Sequence, residues 1–281
     1  MQRYSHAMVC GLGASGVAAA QLLRREGTTV IAVDEFDTAA TQHAAETLRA
    51  AGCRVELGCA APPEVTVDVA IVSPGLALHS PLLVALQKRG IPLLSEMELG
   101  WSRHAGRTVA VTGSNGKSSV VKALADCFAA AGHKAVPCGN YGLPVCEAVM
   151  TDTEWLVIEA SSFQLETCAG FRPDIGIVLN IFPNHLDRHG TLETYAKLKA
   201  RLLSRQRAGD AAWVPPEWAA SLRAWSQGQG TWHTFGTTTQ EEVHYAAHQL
   251  VARDSRAFNI AGSYFDNEVL AAVNRNPSAM P

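Results

Sequence analysis

A glycine-containing stretch in the middle of the chain constrains the fold more than any other part of the sequence. Residues 109–111 form a short apolar run with two valines, residues 113–118 read Gly-Ser-Asn-Gly-Lys-Ser, and a helix is predicted over 119–131. Glycines free the backbone so that successive N–H groups can point at a phosphate, and the positive end of the helix dipole is aimed at the same place. The pattern therefore predicts a strand, a loop and a helix that together hold the phosphates of a nucleoside triphosphate.

Two side chains of this loop have specific roles in the prediction. Lys117 supplies a positive charge for the phosphates, and Ser118 offers a hydroxyl to a divalent metal ion. The longer form of the pattern has a glycine where this chain has Val111, so only the short form Gly-x-x-Gly-Lys-Ser is present. The alternative is an ordinary glycine turn that happens to end in lysine. The predicted cofactor-binding residues are Gly113, Ser114, Asn115, Gly116, Lys117, Ser118 and Ser119.

The start of the chain contains a second glycine loop of a different type. Residues 7–10 are predicted to form a strand, residues 11–16 read Gly-Leu-Gly-Ala-Ser-Gly, and a helix and a second strand follow, ending at Asp34 and Glu35. A βαβ unit with Gly-x-Gly-x-x-Gly and an acid about 20 residues further on is typical of dinucleotide-binding folds. Taken alone, the pattern indicates only a loop that binds a phosphate or a sugar hydroxyl. A nicotinamide-dependent dehydrogenase is one alternative, but it leaves the loop at 113–118 unexplained.

Alternating strands and helices continue along the chain and predict an α/β fold with two domains. A buried strand predicted over 67–72 stops at Ser-Pro-Gly, at the kind of strand end where open α/β sheets bind ligands. We place the domain boundary in the short polar link at 105–107, which contains a glycine. Residues 1–106 are then a Rossmann-like domain with a parallel sheet, and residues 107–281 are a central P-loop ATPase-type α/β domain.

The composition excludes several classes of protein. Hydrophobic residues make up 47% of the 281 residues, enough for two cores, and the net charge of -3 argues against a general nucleic-acid binder. Apolar runs stay shorter than the roughly 18 residues of a membrane span, and the predicted first strand leaves no room for a signal peptide. Seven scattered cysteines without a CxxC pair indicate reduced thiols in a cytoplasmic protein.

Polar residues follow neighbouring strands of the predicted central domain. Glu159 ends one buried strand, His185 comes just after the next, and Lys117 and Ser118 belong to the glycine loop. Because the carboxyl ends of parallel strands meet at one edge of a sheet, we expect these side chains to converge. Ser118 and Glu159 offer the hard oxygen ligands that Mg²⁺ prefers.

Each of these candidates has a structural alternative. Glu159 can simply cap the following turn, and His185 can be a capping histidine or one at the edge of the core. Lys199 lies in a helix predicted over 192–207, among alternating apolar and basic residues, and can be a solvated cation there. On the residue pattern alone, both readings stay open at all three positions.

Four segments together resemble the Mur ligase family. They are GSNGKSS at 113–119, the Gly-Asn-x-Gly-Leu-Pro loop at 139–144, IEASSFQLE at 158–166 and NHLDRHGTLETYAKLKARL at 184–202. The loop at 11–16, the acids at 34–35 and the segment 73–77 are also similar to the uridine-binding domain of that family. The likeness runs through almost all of residues 7–207 and is strongest to the branch that uses D-glutamate. Folylpolyglutamate synthases share the short phosphate loop but lack such an N-terminal domain.

The resemblance implies an ATP-dependent ligase of peptidoglycan synthesis that uses ATP and Mg²⁺. Its substrates would be UDP-N-acetylmuramoyl-L-alanine, whose carboxylate becomes an acyl phosphate, and D-glutamate, whose amine then displaces phosphate. Such a protein acts in the cytoplasm, in cell-wall biogenesis, and we expect a monomer without nucleic-acid partners. The alternative is a non-catalytic protein of the same family that binds a UDP-sugar or a nucleotide.

The resemblance also assigns roles to residues. It implies that Ser118 and Glu159 hold one magnesium ion and that His185 and a carbamylated Lys199 hold or support a second. It implies catalytic roles for Lys117, His185 and Lys199. The implied substrate-binding residues are Gly13, Ala14, Ser15, Asp34, Glu35, Ser73, Gly75, Asn140 and Ser161.

The sequence departs from the family pattern at several positions. Asn184 stands where the family usually has Asp, and Ser119 where it usually has Thr. The family's adenine-contacting element, Gly-x-His-Asn-x-x-Asn, is replaced after Gly262 by Ser-Tyr-Phe-Asp-Asn-Glu. The family also carries a third domain of about 150 residues, which we expect to be absent from this chain.

Overall fold

The structure, a computed structural model, describes residues 3–236, 243–246, 249–252 and 257–259. The sequence also predicts a helix over 267–274. This segment and the altered adenine-contacting element at 262–268 lie outside the described residues. The described residues form two sheets, one of five strands and one of nine. No helix among them is long and apolar enough to cross a membrane.

The N-terminal sheet is parallel and has the strand order β3-β2-β1-β4-β5. Its central strands are almost wholly buried, as expected when helices cover both faces of a parallel sheet. The strands are β1 (His6–Cys10), β2 (Thr29–Val33), β3 (Arg54–Glu56), β4 (Val69–Val72) and β5 (Leu93–Ser95). The helices are α1 (Ala14–Arg25), α2 (Ala39–Ala50), α3 (Pro81–Lys88) and α4 (Glu96–Trp101).

The central sheet has the strand order β14-β13-β12-β11-β10-β9-β6-β8-β7. Its strands from β7 to β12 pair in parallel, whereas β12, β13 and β14 pair antiparallel at the far edge. The strands are β6 (Arg107–Thr112), β7 (Ala135–Gly139), β8 (Trp155–Glu159), β9 (Ile175–Val178), β10 (Ala211–Val214), β11 (Thr231–Gly236), β12 (Val243–Ala246), β13 (Gln249–Ala252) and β14 (Ala257–Asn259). The helices are α5 (Lys117–Ala130), α6 (Val145–Ala148), α7 (Ser162–Glu166), α8 (Leu186–His189), α9 (Leu192–Ala200) and α10 (Pro216–Trp225).

The predicted fold class is confirmed, and most predicted elements have ends close to the observed ones. The helix predicted over 192–207 is shorter: α9 ends at Ala200 and a single 3₁₀ turn, Arg201–Leu203, follows. The helices α6, α7, α8 and α10 were not predicted from the sequence, and neither were the edge strands β13 and β14.

The two sheets meet at α4, which carries two buried glutamates. Glu96 Oε1 accepts a hydrogen bond of 2.6 Å from the backbone N–H of Cys146. The carboxylate of Glu98 accepts two more, each 2.6 Å long, from the N–H groups of Ala169 and Gly170. Since α4 is bonded in this way to α6 and to the loop after α7, the domain boundary at residue 106 stays a prediction.

Candidate functional site

The strand, loop and helix predicted around the phosphate loop are present. The loop joins β6 to α5, and Gly116 caps α5 in a left-handed conformation with φ of 79°. Glycine adopts this conformation without steric cost. The helix begins at Lys117, two residues before the predicted start, so the lysine lies in its first turn. The positive end of the α5 dipole is therefore directed at the loop.

Asn180, which follows β9, fixes the first half of the loop. Its Oδ1 accepts hydrogen bonds from the N–H groups of Ser114 (3.0 Å) and Asn115 (2.9 Å). The hydroxyl of Ser114 donates to the backbone oxygen of Phe182 over 2.9 Å. Ser114 and Asn115 therefore support the loop, and their predicted role in nucleotide binding stays a prediction.

A buried carboxylate lies at the end of β8, between two candidate residues. Glu159 is 2% exposed and accepts a hydrogen bond of 2.7 Å from Ser118 Oγ at its Oε2. Its Oε1 accepts one of 2.8 Å from Asn140 Nδ2. The structure thus brings Ser118 and Glu159 together, as the strand-end argument predicts. The capping alternative for Glu159 is wrong, because Ser161 caps the following helix α7.

Two lysines lie at the phosphate loop: Lys117, which is half-buried, and Lys199, which is fully buried. Lys117 Nζ donates to the backbone oxygen of Ser114 over 3.1 Å. Burial lowers its pKa, while the negative charge of Glu159 acts in the opposite direction.

Lys199 is the more buried of the two lysines. It is 1% exposed, and its Nζ donates to the backbone oxygen of Gly113 over 2.8 Å while lying over the ring of Tyr195. The alternative of a solvated helix cation is therefore wrong. Burial, together with the positive charge of Lys117, lowers the pKa of Lys199 to about 7. A substantial fraction of this side chain is thus neutral near pH 7.

His185 precedes α8 in a strained conformation. Its φ of 51° makes it the one non-glycine residue with a positive φ among the residues that the structure describes. Its exposed ring lies 4.9 Å from the ring of Phe163, and within the described chain its side chain forms no capping hydrogen bond. Positive φ at a non-glycine residue is uncommon and is found at functional sites more often than elsewhere.

The candidate metal ligands do not form a ready-made cluster. No group of three or more His, Cys, Asp and Glu side chains that could hold a metal ion is present in the described part of the chain. The oxygens of Ser118 and Glu159 nevertheless fit magnesium. This ion usually takes one or two carboxylate or hydroxyl ligands from the protein and completes its shell with phosphate oxygens and water.

The acidic residue at the end of β2 supports the N-terminal loop. Asp34 accepts hydrogen bonds from the N–H groups of Leu12 (2.7 Å) and Phe36 (2.9 Å). Ser73 Oγ donates to the backbone oxygen of Gly11 over 2.9 Å. Asp34 and Ser73 are both buried and shape the loop from behind.

The other predicted substrate-binding residues have different surroundings. Gly13, Ala14 and Gly75 are exposed, and Ser15 is half-buried. Glu35 Oε1 is buried without a hydrogen-bond partner among the described residues. Ser161 exchanges hydrogen bonds with Gln164 in the cap of α7.

A buried set of polar side chains beside the site was missed by the sequence analysis. Ser162 Oγ lies 3.0 Å from His189 Nε2, and His189 Nδ1 lies 3.4 Å from Glu166 Oε1. Arg188 Nη2 donates to Glu166 Oε2 over 2.5 Å. Ser162 and Glu166 are four residues apart on one helix face and Arg188 and His189 are neighbours. These spacings were the available sequence signal for a shared polar cluster. They do not reveal that α7 and α8 contact each other.

Two family models match the chain. The Mur ligase MurD-like N-terminal domain matches residues 5–95, and the Mur ligase middle domain matches residues 111–271. The predicted boundary at residue 106 falls between the two matches. Both glycine loops lie inside a matched region.

Curated relatives match with about 40% identity. A UDP-N-acetylmuramoylalanine–D-glutamate ligase of Synechococcus sp. is 41% identical over 211 residues, which is 70% of this chain and 44% of the relative. The ligase of the same name from Koribacter versatilis is 39% identical over 215 residues, 75% of this chain and 47% of the relative. The chain thus spans about half the length of the curated relatives it matches.

Solved structures with the same fold are more distant in sequence. UDP-N-acetylmuramate:L-alanyl-gamma-D-glutamyl-meso-diaminopimelate ligase from Neisseria meningitides has a TM-score of 0.61 at 16% identity, covering 97% of this chain and 93% of that chain. A MurF ligase from Thermotoga maritima, solved in complex with ADP, has a TM-score of 0.50 at 14% identity, covering 90% and 61%. These likenesses show the fold alone. With the sequence relatives and both family models, they lead to one conclusion: the chain belongs to the Mur ligase family.

Proposed function

We propose that this chain provides the UDP-sugar-binding and ATP-binding parts of a ligase that joins D-glutamate to UDP-N-acetylmuramoyl-L-alanine. The contact between Ser118 and the buried carboxylate of Glu159, next to Lys117, is the observation that carries the proposal. A hydroxyl, a carboxylate and an ammonium group at the N-terminus of a helix form a site for a metal-bound triphosphate. The names of the relatives supply the substrates.

The reaction we propose transfers a phosphoryl group and then forms an amide. The carboxylate of the sugar-peptide attacks the γ-phosphorus of ATP, so that an acyl phosphate forms and ADP leaves. The amine of D-glutamate then attacks the acyl carbon, inorganic phosphate leaves with the bonding electrons, and the amine loses a proton. A magnesium ion, when bound, supplies positive charge to the phosphate oxygens.

The side chains of the loop have distinct roles in this proposal. Ser118 and Glu159 would hold the metal ion, and Lys117 would neutralise charge that develops on the transferred group. Lys199 lies behind the loop, and its pKa of about 7 makes a neutral amine available near neutral pH. We propose that this amine adds carbon dioxide, forming a C–N bond and releasing a proton to solvent. The resulting carbamate is anionic and offers oxygen ligands, with His185 as the other candidate ligand of that second metal site.

The N-terminal loop is the proposed site of the uridine diphosphate. Gly13, Ala14 and Ser15 begin the exposed N-terminus of α1, where a helix dipole favours a phosphate. Glu35 brings a buried oxygen without a partner in the described chain, which can accept a bond from a base or a ribose. Asp34, Ser73 and Gly75 complete the loop, and Asn140 and Ser161 are the candidates nearest the peptide.

The compartment and the oligomeric state of this enzyme are also proposed. All seven cysteines are free, which agrees with the cytoplasm, where ATP is available and thiols stay reduced. We propose a monomer. A non-catalytic protein of the same family is the second candidate, since the chain spans about half of its relatives.

Phosphate release from ATP tests the proposal. Full-length protein receives Mg²⁺, UDP-N-acetylmuramoyl-L-alanine and D-glutamate, with Lys117→Ala as the control variant. We expect release that needs both substrates and falls to background in the variant. No release, together with a melting temperature that still rises on adding the UDP-sugar, supports the non-catalytic candidate. A change of NADH fluorescence on adding the protein would instead favour the dehydrogenase alternative.

A further inference from the structure

The single helical turn α8 needs support from outside itself. It comprises four residues, Leu186–His189, and the residue before it, His185, is strained at a φ of 51°. One helical turn is unstable in isolation because the ordering of its backbone is compensated by few hydrogen bonds. The backbone oxygen of His185 accepts from the N–H groups of Arg188 (3.1 Å) and His189 (3.0 Å). Any group that holds Arg188 and His189 therefore also holds His185.

Glu166, at the end of α7, contacts both of those side chains. Its Oε2 accepts a bond of 2.5 Å from Arg188 Nη2, and its Oε1 one of 3.2 Å from Arg188 Nε. The same Oε1 lies 3.4 Å from His189 Nδ1. All three side chains are largely buried. A two-bond pair between arginine and a carboxylate fixes geometry better than a single point contact does.

Arg188 and His189 each connect Glu166 to a different part of the molecule. Arg188 lies over the ring of Phe163, and that ring also contacts the ring of His185. The Nη2 of Arg188 donates a hydrogen bond of 3.2 Å to the backbone oxygen of Leu76. Leu76 follows the 73–75 turn of the N-terminal sheet, so this one turn is bonded to both halves of the molecule.

His189 connects the turn to the phosphate loop. Burial lowers the pKa of its ring, while the negative charge of Glu166 acts in the opposite direction. Because Nδ1 faces a carboxylate, we assign the ring proton to that nitrogen, which leaves Nε2 to accept from Ser162. The ring also stacks on Tyr195, whose hydroxyl lies 3.4 Å from Ser114 Oγ in the loop.

We propose that Glu166 is a positioning residue. Through its contacts to Arg188 and His189 it fixes the strained turn and so holds His185 in place at the phosphate site. This inference rests on the proposed function, in which His185 is a ligand of a nucleotide-bound metal. Both carboxylate oxygens of Glu166 contact Arg188 or His189. Loss of the negative charge of Glu166 weakens its contacts to Arg188 and His189. His185 can then leave its strained conformation.

A double-mutant cycle on nucleotide binding tests the inference. Calorimetry measures the affinity of the full chain for ADP in the presence of Mg²⁺, for wild type, Glu166→Gln, His185→Ala and the double variant. Replacing a partner that orients a metal ligand typically weakens metal affinity about 10- to 100-fold. We expect Glu166→Gln to weaken binding about tenfold and to have no further effect once His185 is absent. Glu193→Gln, on the exposed face of α9, is the matched control and should bind like wild type.

The outcomes separate this inference from the proposed function. Failure of wild type to bind ADP with Mg²⁺ overturns the proposed function. If wild type binds and His185→Ala weakens binding, but Glu166→Gln has no effect or an additive one, only the positioning role is overturned. Should Glu166→Gln not fold by circular dichroism, Arg188→Lys takes its place in the cycle, because lysine keeps the charge but loses the two-bond geometry.

Discussion

The loop at residues 11–16 and the loop at residues 113–118 both join a buried strand to a helix, but the side chains that support them differ. Behind the N-terminal loop, Asp34 and Ser73 hold the backbone through hydrogen bonds. Around the central loop, by contrast, Lys117 brings a positive charge, Lys199 brings a buried amine and Glu159 brings a carboxylate. The same strand–loop–helix design is therefore surrounded by two different sets of side chains.

The glycines of the two loops also have different purposes. A Cβ on Gly16 would lie 1.8 Å from the backbone oxygen of Gly11, so α1 packs against the loop only because that atom is missing. A Cβ on Gly116 would meet little, since its nearest neighbour is an atom of Leu179 at 3.9 Å. There the positive φ of 79° is what favours glycine. One glycine is needed for close packing and the other for backbone conformation.

The largest effect is expected from Glu159→Gln, which removes charge from the central loop alone. Phosphate release should fall about 10²- to 10³-fold, the loss typical when a group that stabilises transition-state charge is removed. The rise in melting temperature caused by the UDP-sugar should stay as in wild type. Loss of both phosphate release and the UDP-sugar-induced rise in melting temperature would contradict the proposal that the two loops bind different ligands.

The joint between the two regions should make stability depend on pH through Glu96. Burial raises the pKa of this carboxyl to about 7. Because the folded-state pKa lies above the unfolded one, the carboxyl stabilises the fold fully below about pH 4.3, and this contribution is lost as the pH rises through 7. The loss amounts to about 4 kcal/mol.

Urea unfolding between pH 5 and pH 8 measures this effect. Glu96→Gln mimics the neutral carboxyl and should be nearly independent of pH in this window, and more stable than wild type at pH 8. Glu46→Gln, an exposed change on helix α2 away from Glu96, is the control and should keep the wild-type slope. Equal slopes for Glu96→Gln and wild type would show that Glu96 is already ionised at pH 5.

The smallest effects are expected from alanine at single glycines, and they distinguish packing from conformation. Gly16→Ala should lower the free energy of unfolding by about 1–3 kcal/mol, as overpacking does. Gly116→Ala should cost about 1 kcal/mol, for the positive φ alone. Gly13→Ala is the control, since its Cβ would have no described neighbour within 4 Å. Equal costs at positions 13 and 16 would contradict the packing argument.

Much of this molecule follows from local sequence patterns. Both glycine loops and the parallel strands before them were predicted because turn residues and short apolar runs act over a few neighbours. The convergence of Ser118 and Glu159 followed from a rule about strand ends. The short helix α6 and the edge strands β13 and β14 were not predicted, because they lack a distinct periodic pattern.

The sequence by itself determined the α/β class, the two loops and the family to which the chain belongs. Only the tertiary structure decided that Lys199 is buried, that Asp34 supports a loop, and that Glu166 joins two residues of a distant turn. The physical reason is that burial and hydrogen-bond partners depend on which elements pack over a side chain. A residue pattern along one segment does not contain that information.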